Sequence, residues 1–348
     1  MQKSFLRRSL AGFQPYGPGD QPADDEHWIK LNTNESPIGP SPRVIEAIQA
    51  AAGDGLRFYP SPSSAAAREA IARHFGLTPE MIVLGNGADE LIEMCFRAFA
   101  GAGDRVAFAT PTYPLLEPVA AIHECELSTH RMGADWALPD ALWADPAPLK
   151  FVVNPNSPTG TWHPRGVIEP IVAAAAGVVV LDEAYVDFAP EPRLDLLGRH
   201  DNLLILRTMS KSYALAGMRI GFALGHPELI AALDLVKDVY NMNRLAIVAA
   251  AAAIDDVEHH RLLVEQVLAE RGWLARELEK LECEVAPSAT NFVFAQPPAD
   301  ARKVVDELRR RRILVRHYER EPITGWLRIT IGTREQHDQL LAAFKEIL

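Results

Sequence analysis

The sequence lacks the features that mark membrane and disulfide-stabilised proteins. Its 348 residues include only three cysteines, Cys95, Cys125 and Cys283, which lie far apart and are odd in number. That usage argues against a disulfide framework and a cysteine-based zinc site, and it favours a reducing compartment. No apolar run approaches the ~18 residues that a membrane-spanning helix needs. We therefore expect a cytoplasmic protein with no membrane association.

Positive charge is also scarce. Lysine and arginine total 35 against 46 aspartates and glutamates, so the formal net charge is −11. We do not expect a general nucleic-acid surface, because phosphate backbones need a positive protein face. A protein of this charge that binds an anionic substrate must gather its arginines locally. The basic start, residues 1–13, has no secretory cleavage pattern after it and is interpreted as an N-terminal arm.

What the sequence has in abundance is short apolar runs that alternate with helical patterns. The predicted strands are "MIVLGN", "RVAFAT", "LKFVVN", "GVVVLDE", "LLILRT" and "IGFALG". They do not alternate with polar residues, which indicates burial on both faces in a mostly parallel sheet covered by helices. After a charged amphipathic helix pattern at 258–282, shorter elements indicate a smaller α+β domain. We predict an arm and part of the small domain at 1–44, a large α/β domain at 45–245, and the small C-terminal domain at 246–348.

Ligands of open α/β sheets bind beyond the carboxyl ends of the strands, so the residues after each strand are informative. The first strand is followed by "GNGADELIEM". Its two glycines permit a tight turn, and a helix that begins near Ala88 or Asp89 could bind a phosphate with its free N–H groups. The alternative is a plain strand–turn–helix with Asp89 as N-cap. The spacing is neither a P-loop nor a dinucleotide fingerprint.

An acidic and a phenolic side chain follow the strand "GVVVL", at Asp182 and Tyr185. A carboxylate at the end of a buried strand is costly unless a cation pairs with it. A strand-end cap or a magnesium ligand would explain the aspartate, but neither explains the tyrosine.

A cluster of hydroxyls and cations follows the strand "LLILR": Thr208, Ser210, Lys211 and Arg219. Lys211 lies 211 − 182 = 29 residues after Asp182, about one βα unit away. Adjacent parallel strands would therefore place both groups at one edge of the sheet. The alternative is a solvated turn with an exposed lysine.

One ligand would use all of these groups. Pyridoxal phosphate has an aldehyde for a lysine, a pyridine nitrogen for a carboxylate, a phenolic oxygen for a donor, and a phosphate for a helix N-terminus, hydroxyls and an arginine. Ten motifs along nearly the whole chain carry a family resemblance: "LNTNESPIGPSP", "FYP", "GNGADELI", "PTY", "NPNSPTG", "VVLDEAYVDF", "RTMSKSYALAGMRIGF", "KDVYNMNRLA", "TNFVF" and "LRITIGT". In these motifs the sequence resembles the fold-type I pyridoxal-phosphate aminotransferases, which implies an aspartate-aminotransferase-like fold. Within that family the motifs are most similar to those of enzymes that act on histidinol phosphate.

The resemblance implies a role for each matching residue around the cofactor ring. Lys211 would bind the cofactor aldehyde covalently and then move a proton as general base and acid. Asp182 would keep the pyridine nitrogen protonated, with its own pKa lowered by that cation. Tyr185 would donate to the phenolic oxygen, and Tyr113 would stack on the ring, although a core or turn aromatic is its alternative.

The resemblance also implies a cradle for the cofactor phosphate. It would be built from Gly87, Ala88, Asp89, Thr208, Ser210 and Arg219. Arginine suits this position because its planar fork binds two phosphate oxygens. Tyr59 of "FYP" is similar to the residue that reaches the phosphate from a partner subunit. That similarity implies a homodimer with its sites at the interface.

One motif departs from the family pattern. The common form ends in "NPTG", with an asparagine that approaches the phenolic oxygen of the cofactor. Here Ser157 stands at that position, preceded by Asn154 and Asn156. Ser157, Asn156 or a water could supply the missing hydrogen bond, and the sequence leaves this open.

The substrate end of the site is implied by four more residues. Arg328 of "LRIT" resembles the arginine that binds the substrate anion, and Arg316, Tyr16 and Asn34 resemble further pocket residues. Both arginines could instead be members of surface ion pairs, which contribute little energy.

The implied reaction is a two-stage amino transfer between glutamate with 2-oxoglutarate and histidinol phosphate with imidazole-acetol phosphate. Aromatic amino acid aminotransferases and threonine-phosphate decarboxylases of the same family stay as alternatives. A cofactor-binding regulator would carry a DNA-binding segment before "LNTNES", and a dehydrogenase would carry a glycine fingerprint. The adjacent His259 and His260 have no metal-ligand spacing and are interpreted as a solvated helix face.

Overall fold

The computed structural model describes residues 5–7, 10, 13, 15, 17–23 and 27–348. These residues form twelve strands in two sheets. The strands are β1 (Ile29–Leu31), β2 (Ile82–Asn86), β3 (Arg105–Thr110), β4 (Glu126–Arg131), β5 (Leu149–Val153), β6 (Val178–Asp182), β7 (Leu203–Thr208), β8 (Ile220–Gly225), β9 (Glu284–Ala286), β10 (Phe292–Gln296), β11 (Ile313–His317) and β12 (Leu327–Thr330).

The same residues form eleven α-helices. The helices are α1 (Pro42–Ala51), α2 (Ala65–Phe75), α3 (Ala88–Phe99), α4 (Leu116–Ile122), α5 (Asp140–Trp143), α6 (Arg165–Ala174), α7 (Pro227–Val236), α8 (Arg244–Asp255), α9 (Val257–Glu279), α10 (Ala301–Arg310) and α11 (Arg334–Ile347). Within the described ranges, none of them is both long enough and apolar enough to cross a bilayer.

The larger sheet has seven strands in the order β2-β8-β7-β6-β5-β3-β4. β8 runs antiparallel to both of its neighbours, and the remaining pairs are parallel. Strands β5, β7 and β8 are buried along their whole length. Their unbroken apolar sequences follow from this position, because helices cover both faces of the sheet.

Each face of this sheet has its own apolar core. One core contains buried residues of α1, α2, α6 and α8, including Val44, Ile71, Ile168 and Ala250. The other contains buried residues of α3, α4 and α7, including Phe96. The predicted fold class, a mostly parallel sheet covered by helices with a smaller α+β part, is confirmed.

The sequence-based strand assignment was accurate in the sheet centre and incomplete at its edge. β3, β7 and β8 begin and end where the sequence predicts. β4, with the sequence "ELSTHR", was missed. It is an edge strand with exposed and half-exposed side chains, so the apolar signal of a buried strand is absent.

The smaller sheet has five strands in the order β1-β11-β12-β10-β9. β1 pairs parallel to β11, with Ile29 opposite Ile313, so the segment before α1 joins the C-terminal part of the chain. Helices α9, α10 and α11 bury their apolar faces on this sheet. Tyr185 and Phe188, which follow β6 of the larger sheet, pack into the same core. The junction between the two sheets therefore lies beside the end of β6.

Candidate active site

The polar residues after β2, β6 and β7 meet at one edge of the larger sheet. A cavity of about 200 Å³ lies there, between that edge and the smaller sheet. Its lining includes the predicted residues Asn34, Ala88, Asp89, Tyr113, Ser157, Asp182, Tyr185, Thr208, Ser210, Lys211, Arg219, Arg316 and Arg328. Residues from distant parts of the chain are thus brought together as the strand order requires.

The turn after β2 is shaped by two close backbone approaches. Gly87 has φ +87°, and a Cβ there would lie 2.5 Å from Nη2 of Arg219. A Cβ at Gly221 of β8 would lie 2.5 Å from the backbone nitrogen of Ala88. Only glycine fits both positions without a shift. The free N–H groups at the start of α3 consequently face the cavity edge beside Arg219.

The cap of α3 differs from the sequence prediction. Gly87 is the N-cap, Ala88 is the first helical residue, and no side chain caps the helix, so Asp89 is not the cap. The Asp89 carboxylate instead accepts hydrogen bonds from the Tyr113 hydroxyl at 2.9 Å and from Nη2 of Arg219 at 3.1 Å. Its negative charge near the N-terminus of α3 stabilises the helix through the helix dipole, although it forms no capping hydrogen bond.

The guanidinium of Arg219 is positioned by neighbours on both sides. Nη1 donates to Ser210 Oγ at 3.5 Å, in addition to the bond of Nη2 to Asp89. Arg219 itself has φ +52°, a left-handed conformation at the end of the turn that precedes β8. Thr208 Oγ1 accepts from the backbone N–H of Ser210 and donates to the carbonyl of Ile220. Hydroxyls, guanidinium and helix start therefore lie on one side of the cavity.

Asp182 ends β6 and is buried, with 5% of its surface exposed. Its Oδ1 accepts from the backbone N–H of Ala184 at 2.9 Å. Burial raises the pKa of Asp182 to about 6, and the negative charges of Asp89 and Glu183 act in the same direction. This is opposite to the lowering expected for a carboxylate that faces a cation. A buried carboxylate of this kind favours a cationic partner in the cavity.

Tyr185 lies between the two sheets, close to Asp182. Its hydroxyl oxygen accepts from Asn34 Nδ2 at 2.8 Å, and its ring packs edge-on against Phe292. Asn34 is itself held by Thr330, whose hydroxyl accepts from the Asn34 backbone N–H at 2.9 Å. Burial raises the pKa of the Tyr185 hydroxyl, against the charge of Arg328 and side-chain hydrogen bonds with Asn34 and Ser157, which lower it.

Lys211 follows β7 and is partly buried in the cavity wall. Its Nζ donates to the carbonyl of Thr33 at 3.2 Å and lies 5.8 Å from the centroid of the Tyr185 ring. Burial lowers the pKa of Lys211 to about 8, and the charge of Arg328 adds to that effect. An amine with such a pKa is reactive near neutral pH. Thr33 and Asn32, of the motif "LNTNES", act here through backbone carbonyls, which accept from Lys211 and Arg328. The sequence does not predict these contacts, because a backbone acceptor leaves no side-chain signal.

The motif "NPNSPTG", which differs from the family pattern, offers Asn156 and Ser157 for the missing hydrogen bond to the cofactor. The structure places these two side chains differently. The Asn156 amide is used within the protein: Oδ1 accepts from Thr112, and Nδ2 donates to the carbonyl of Pro111 and to Thr159. Asn156 does not line the cavity, whereas Ser157 does. Ser157 Oγ accepts from Nη1 of Arg328 at 3.2 Å.

The two predicted substrate arginines lie on adjacent strands of the smaller sheet. Arg316 of β11 and Arg328 of β12 are direct partners in the antiparallel pairing. Arg316 donates to the carbonyls of Gly17 and Pro18, and Arg328 donates to the carbonyl of Asn32 at 2.9 Å. Among the described residues neither forms an ion pair with a carboxylate, so the alternative of surface ion pairs finds no partner there.

Three further sequence-based assignments have different outcomes. Tyr59 is 78% exposed and stacks on Tyr240 at 4.5 Å, away from this chain's cavity. Tyr16 lies outside the described residues. The prediction of a solvated helix face at His259 and His260 is wrong: both are partly buried, and His260 stacks on Tyr213 at 4.1 Å, because α9 packs against the turn after Lys211.

Comparison with known proteins identifies the family. The model of the family "Aminotransferase class I and II" matches residues 26–344, nearly the whole chain. The chain belongs to the class I and II aminotransferases. These aminotransferases are enzymes that depend on pyridoxal phosphate.

Several aminotransferases of this family are similar along their full length. The histidinol-phosphate aminotransferase of Geotalea uraniireducens is 44% identical over 343 residues, covering 98% of this chain and 99% of that protein. That of Geobacter sulfurreducens is also 44% identical, over 346 residues, with the same coverage. The crystal structure of histidinol-phosphate aminotransferase from Sinorhizobium meliloti in complex with pyridoxal-5'-phosphate is 32% identical, with TM-score 0.86 and coverage of 92% of this chain and 90% of that chain.

The cavity of this aminotransferase fits the cofactor of its family. A buried carboxylate with a raised pKa suits a protonated pyridine nitrogen, and an amine with a lowered pKa suits an aldehyde. Gly87 lets the α3 turn approach Arg219, and Gly221 lets β8 approach that turn, so the two glycines form a cradle that a Cβ would obstruct. Helix N–H groups, hydroxyls and a guanidinium at that cradle are the donors that a phosphate needs.

Proposed function

We propose that this aminotransferase is a histidinol-phosphate transaminase, which exchanges an amino group between histidinol phosphate and 2-oxoglutarate in histidine biosynthesis. The observation that carries the proposal is the pair Arg316 and Arg328 at the cavity wall, two cations without a carboxylate partner among the described residues. Glutamate and histidinol phosphate each carry a remote anion, so one arginine-lined pocket serves both. The names of the most similar relatives support the same substrate.

The proposed catalytic residue is Lys211. When bound, the cofactor supplies an electron sink for the negative charge left at the substrate Cα. The Lys211 amine would hold the cofactor aldehyde, and a substrate amine would free it. The free Nζ would then serve as the general base and acid for the proton of the substrate Cα. Its lowered pKa, about 8, supports this role because the neutral amine is accessible near neutral pH.

The groups proposed to bind and tune the cofactor surround Lys211. Asp182 would hold the proton of the pyridine nitrogen, and the charge pairing would keep the carboxylate ionised in spite of its burial. Tyr185 would donate its hydroxyl proton to the phenolic oxygen, and Tyr113 would cover the ring. Ser157 takes the place of the usual asparagine, since it lines the cavity and Asn156 does not.

The phosphate would be bound where the helix start meets the guanidinium. The proposed donors are the backbone N–H groups near Gly87, Ala88 and Asp89, the hydroxyls of Thr208 and Ser210, and the side chain of Arg219. Asp89 would keep Arg219 oriented through the bond at 3.1 Å. Asn34 would orient Tyr185 and so acts at the substrate side of the site. The assignment of Tyr16 to the substrate pocket stays a prediction.

A cytoplasmic homodimer belongs to the same proposal. Tyr59 lies in an apolar patch with Leu56, Phe58 and Tyr240. Each of these four residues has more than two-fifths of its surface exposed. Such a patch marks an interaction surface, and a second copy would let Tyr59 reach the partner's phosphate cradle. The domain division at 44/45 and 245/246 also stays a proposal. Helix α8 packs in the core of the larger sheet, which favours moving the boundary at 245/246 to the end of that helix.

The test is a spectroscopic titration of the cofactor-loaded protein. We expect absorbance of the lysine-bound cofactor, which glutamate converts to that of the aminated cofactor. Histidinol phosphate should produce the same conversion at a lower concentration than phenylalanine. Equal or better conversion by phenylalanine would identify an aromatic amino acid aminotransferase instead, and release of carbon dioxide from threonine phosphate would identify a decarboxylase.

A further inference from the structure

The candidate active site opens into a second, larger cavity. It has a volume of about 540 Å³ and shares Asn32, Tyr113 and Arg316 with the smaller cavity that Lys211 lines. Tyr318, directly beyond β11, forms part of its wall. This tyrosine lies outside the motifs that carry the family resemblance. The inference below rests on the proposed function, because it concerns how the anion of a substrate is bound.

The pairing of β11 with β12 creates an electrostatic problem. Arg316 and Arg328 are directly opposite in the antiparallel register. Like charges at such positions repel each other and destabilise the sheet. In the part of the chain that the structure describes, the partners of both guanidinium groups are neutral: backbone carbonyls and the hydroxyls of Ser157 and Tyr318. Neutral groups therefore hold the two cations near each other.

The ring of Tyr318 is placed to do this. Its centroid lies 5.4 Å from Cζ of Arg316 and 5.8 Å from Cζ of Arg328. Both distances are within the ~6 Å at which a guanidinium is attracted to an aromatic face. Burial raises the pKa of the Tyr318 hydroxyl, although both arginines lower it, so the ring stays neutral at physiological pH.

The Tyr318 ring is also supported by apolar packing. Tyr318 packs against a small apolar cluster of the smaller sheet, formed by Ala286, Phe294, Ile323 and Trp326. Phe294 and Trp326 are stacked with centroids 4.8 Å apart. This support limits the rotation of the ring. The geometry of both guanidinium groups is therefore linked to a rigid part of the fold.

We propose that Tyr318 is a positioning residue that holds Arg316 and Arg328 through its ring face and leaves both positive charges available to the substrate anion. A carboxylate at this place would also hold the arginines, but it would neutralise them and compete with the substrate. An aromatic ring attracts both cations and carries no net charge. The pair then presents two charges to an anion such as a phosphate, which itself carries up to two.

The test measures the binding of inorganic phosphate to the cofactor-loaded protein by calorimetry, together with the KM for glutamate. Tyr318→Phe keeps the ring face and loses only the hydroxyl contact with Arg316, so it should bind phosphate within about twofold of the unchanged protein. Tyr318→Leu and Tyr318→Met remove the face and should weaken phosphate binding about 3- to 30-fold, as expected for cation–π contacts. KM for glutamate should rise by a similar factor, and kcat should change less. Tyr318→Glu should weaken binding most.

The controls separate this role from a structural one and from the proposed function. Val264→Ala removes packing from the core between α9 and the smaller sheet, outside the cluster that supports the Tyr318 ring, and it should keep the phosphate affinity. Circular dichroism and cofactor absorbance identify any variant that does not fold, and two variants without the ring guard against such a loss. Unchanged affinity in Tyr318→Leu and Tyr318→Met, or an equal loss in Tyr318→Phe, overturns the inference. An unchanged protein that neither binds phosphate nor transfers amino groups overturns the proposed function instead.

Discussion

Glu183 and Arg207 form an ion pair that is shielded from water, with Nη2 of the arginine 2.8 Å from the carboxylate and the two side chains 6% or less exposed. Glu183 directly follows Asp182, and Arg207 lies four residues before Lys211. Arg207 also contacts Asp187 at 3.2 Å, and Asp187 accepts a short hydrogen bond from Ser212. These contacts therefore join the chain segments that carry the proposed acid and amine, at the ends of β6 and β7.

Breaking this buried pair should destabilise the fold. Glu183→Gln leaves the Arg207 charge with less compensation, so the free energy of unfolding should fall by about 3 kcal/mol. Urea denaturation measures the change. Glu265→Gln, which removes one partner of the exposed pair with Arg261, is the matched control and should change stability by less than about 1 kcal/mol. Equal effects in the two variants would contradict the structural role of the buried pair.

Replacement of Lys211 should abolish turnover but not folding. Lys211→Ala removes both the covalent link to the cofactor and the proton carrier, so kcat should fall by about 10⁴-fold. Stopped-flow kinetics and absorbance of the loaded protein check this. The exposed Lys303 on α10 provides the control, and Lys303→Ala should keep both the absorbance and the rate. Multiple turnovers at an ordinary rate in Lys211→Ala would disprove the assigned role.

The stability of the cofactor-free protein should depend on pH through Asp182. The folded pKa of about 6 exceeds the ordinary value of 3.8, so the folded state binds more protons than the unfolded state between these values. Stability should consequently fall as pH rises from about 4 to about 6, by up to about 3 kcal/mol. Thermal unfolding at a series of pH values measures this.

Asp182→Asn should remove that pH dependence, since an amide does not titrate. Above pH 6 the variant should be more stable than the unchanged protein without cofactor, and it should lose aminotransferase activity. Asp201→Asn, at an exposed position, should keep the original pH profile. A profile in Asp182→Asn that still falls between pH 4 and 6 would assign the titration to another group.

Arg328 should control affinity for the substrate anion. Arg328→Met removes a charged hydrogen-bond donor, so KM for glutamate and for histidinol phosphate should each rise by about 10- to 100-fold. Arg328→Lys keeps the charge but lacks the planar fork, so its KM values should lie between those of Arg328→Met and those of the unchanged protein. Steady-state kinetics measure both substrates. Arg261→Met on the exposed face of α9 should leave both KM values unchanged.

The apolar patch around Tyr59 should be a dimer interface. Leu56→Glu places a charge in that patch, where Leu56 is 53% exposed, and should convert a dimer to monomers that bind the cofactor weakly. Light scattering after size-exclusion chromatography measures the mass. Leu262→Glu, at a similarly exposed position on α9, should leave the mass unchanged. A monomeric unchanged protein with full activity would refute the proposed homodimer.

Sequence patterns predicted the strands of the larger sheet best where both faces are buried. β7 was correct to the residue, because an unbroken apolar run between turn-forming residues has few alternatives. β4 was missed because an edge strand carries polar side chains. Likewise, aspartate is a residue type preferred at N-caps, so the sequence predicts a cap at Asp89. In the structure its carboxylate instead contacts Tyr113 and Arg219, which the sequence pattern does not reveal.

The sequence alone determined which chemical groups this protein has and which strands they follow: part of an anion cradle after β2, an acid at the end of β6 and an amine after β7. Local patterns suffice for this, since burial and turn chemistry act over a few residues. Only the tertiary structure decided that the pKa of Asp182 is raised and that Ser157 lines the cavity while Asn156 does not. It also decided that Tyr318 contacts Arg316 and Arg328. These depend on charges, burial and ring faces brought together from distant segments, and such sums are set by packing rather than by sequence spacing.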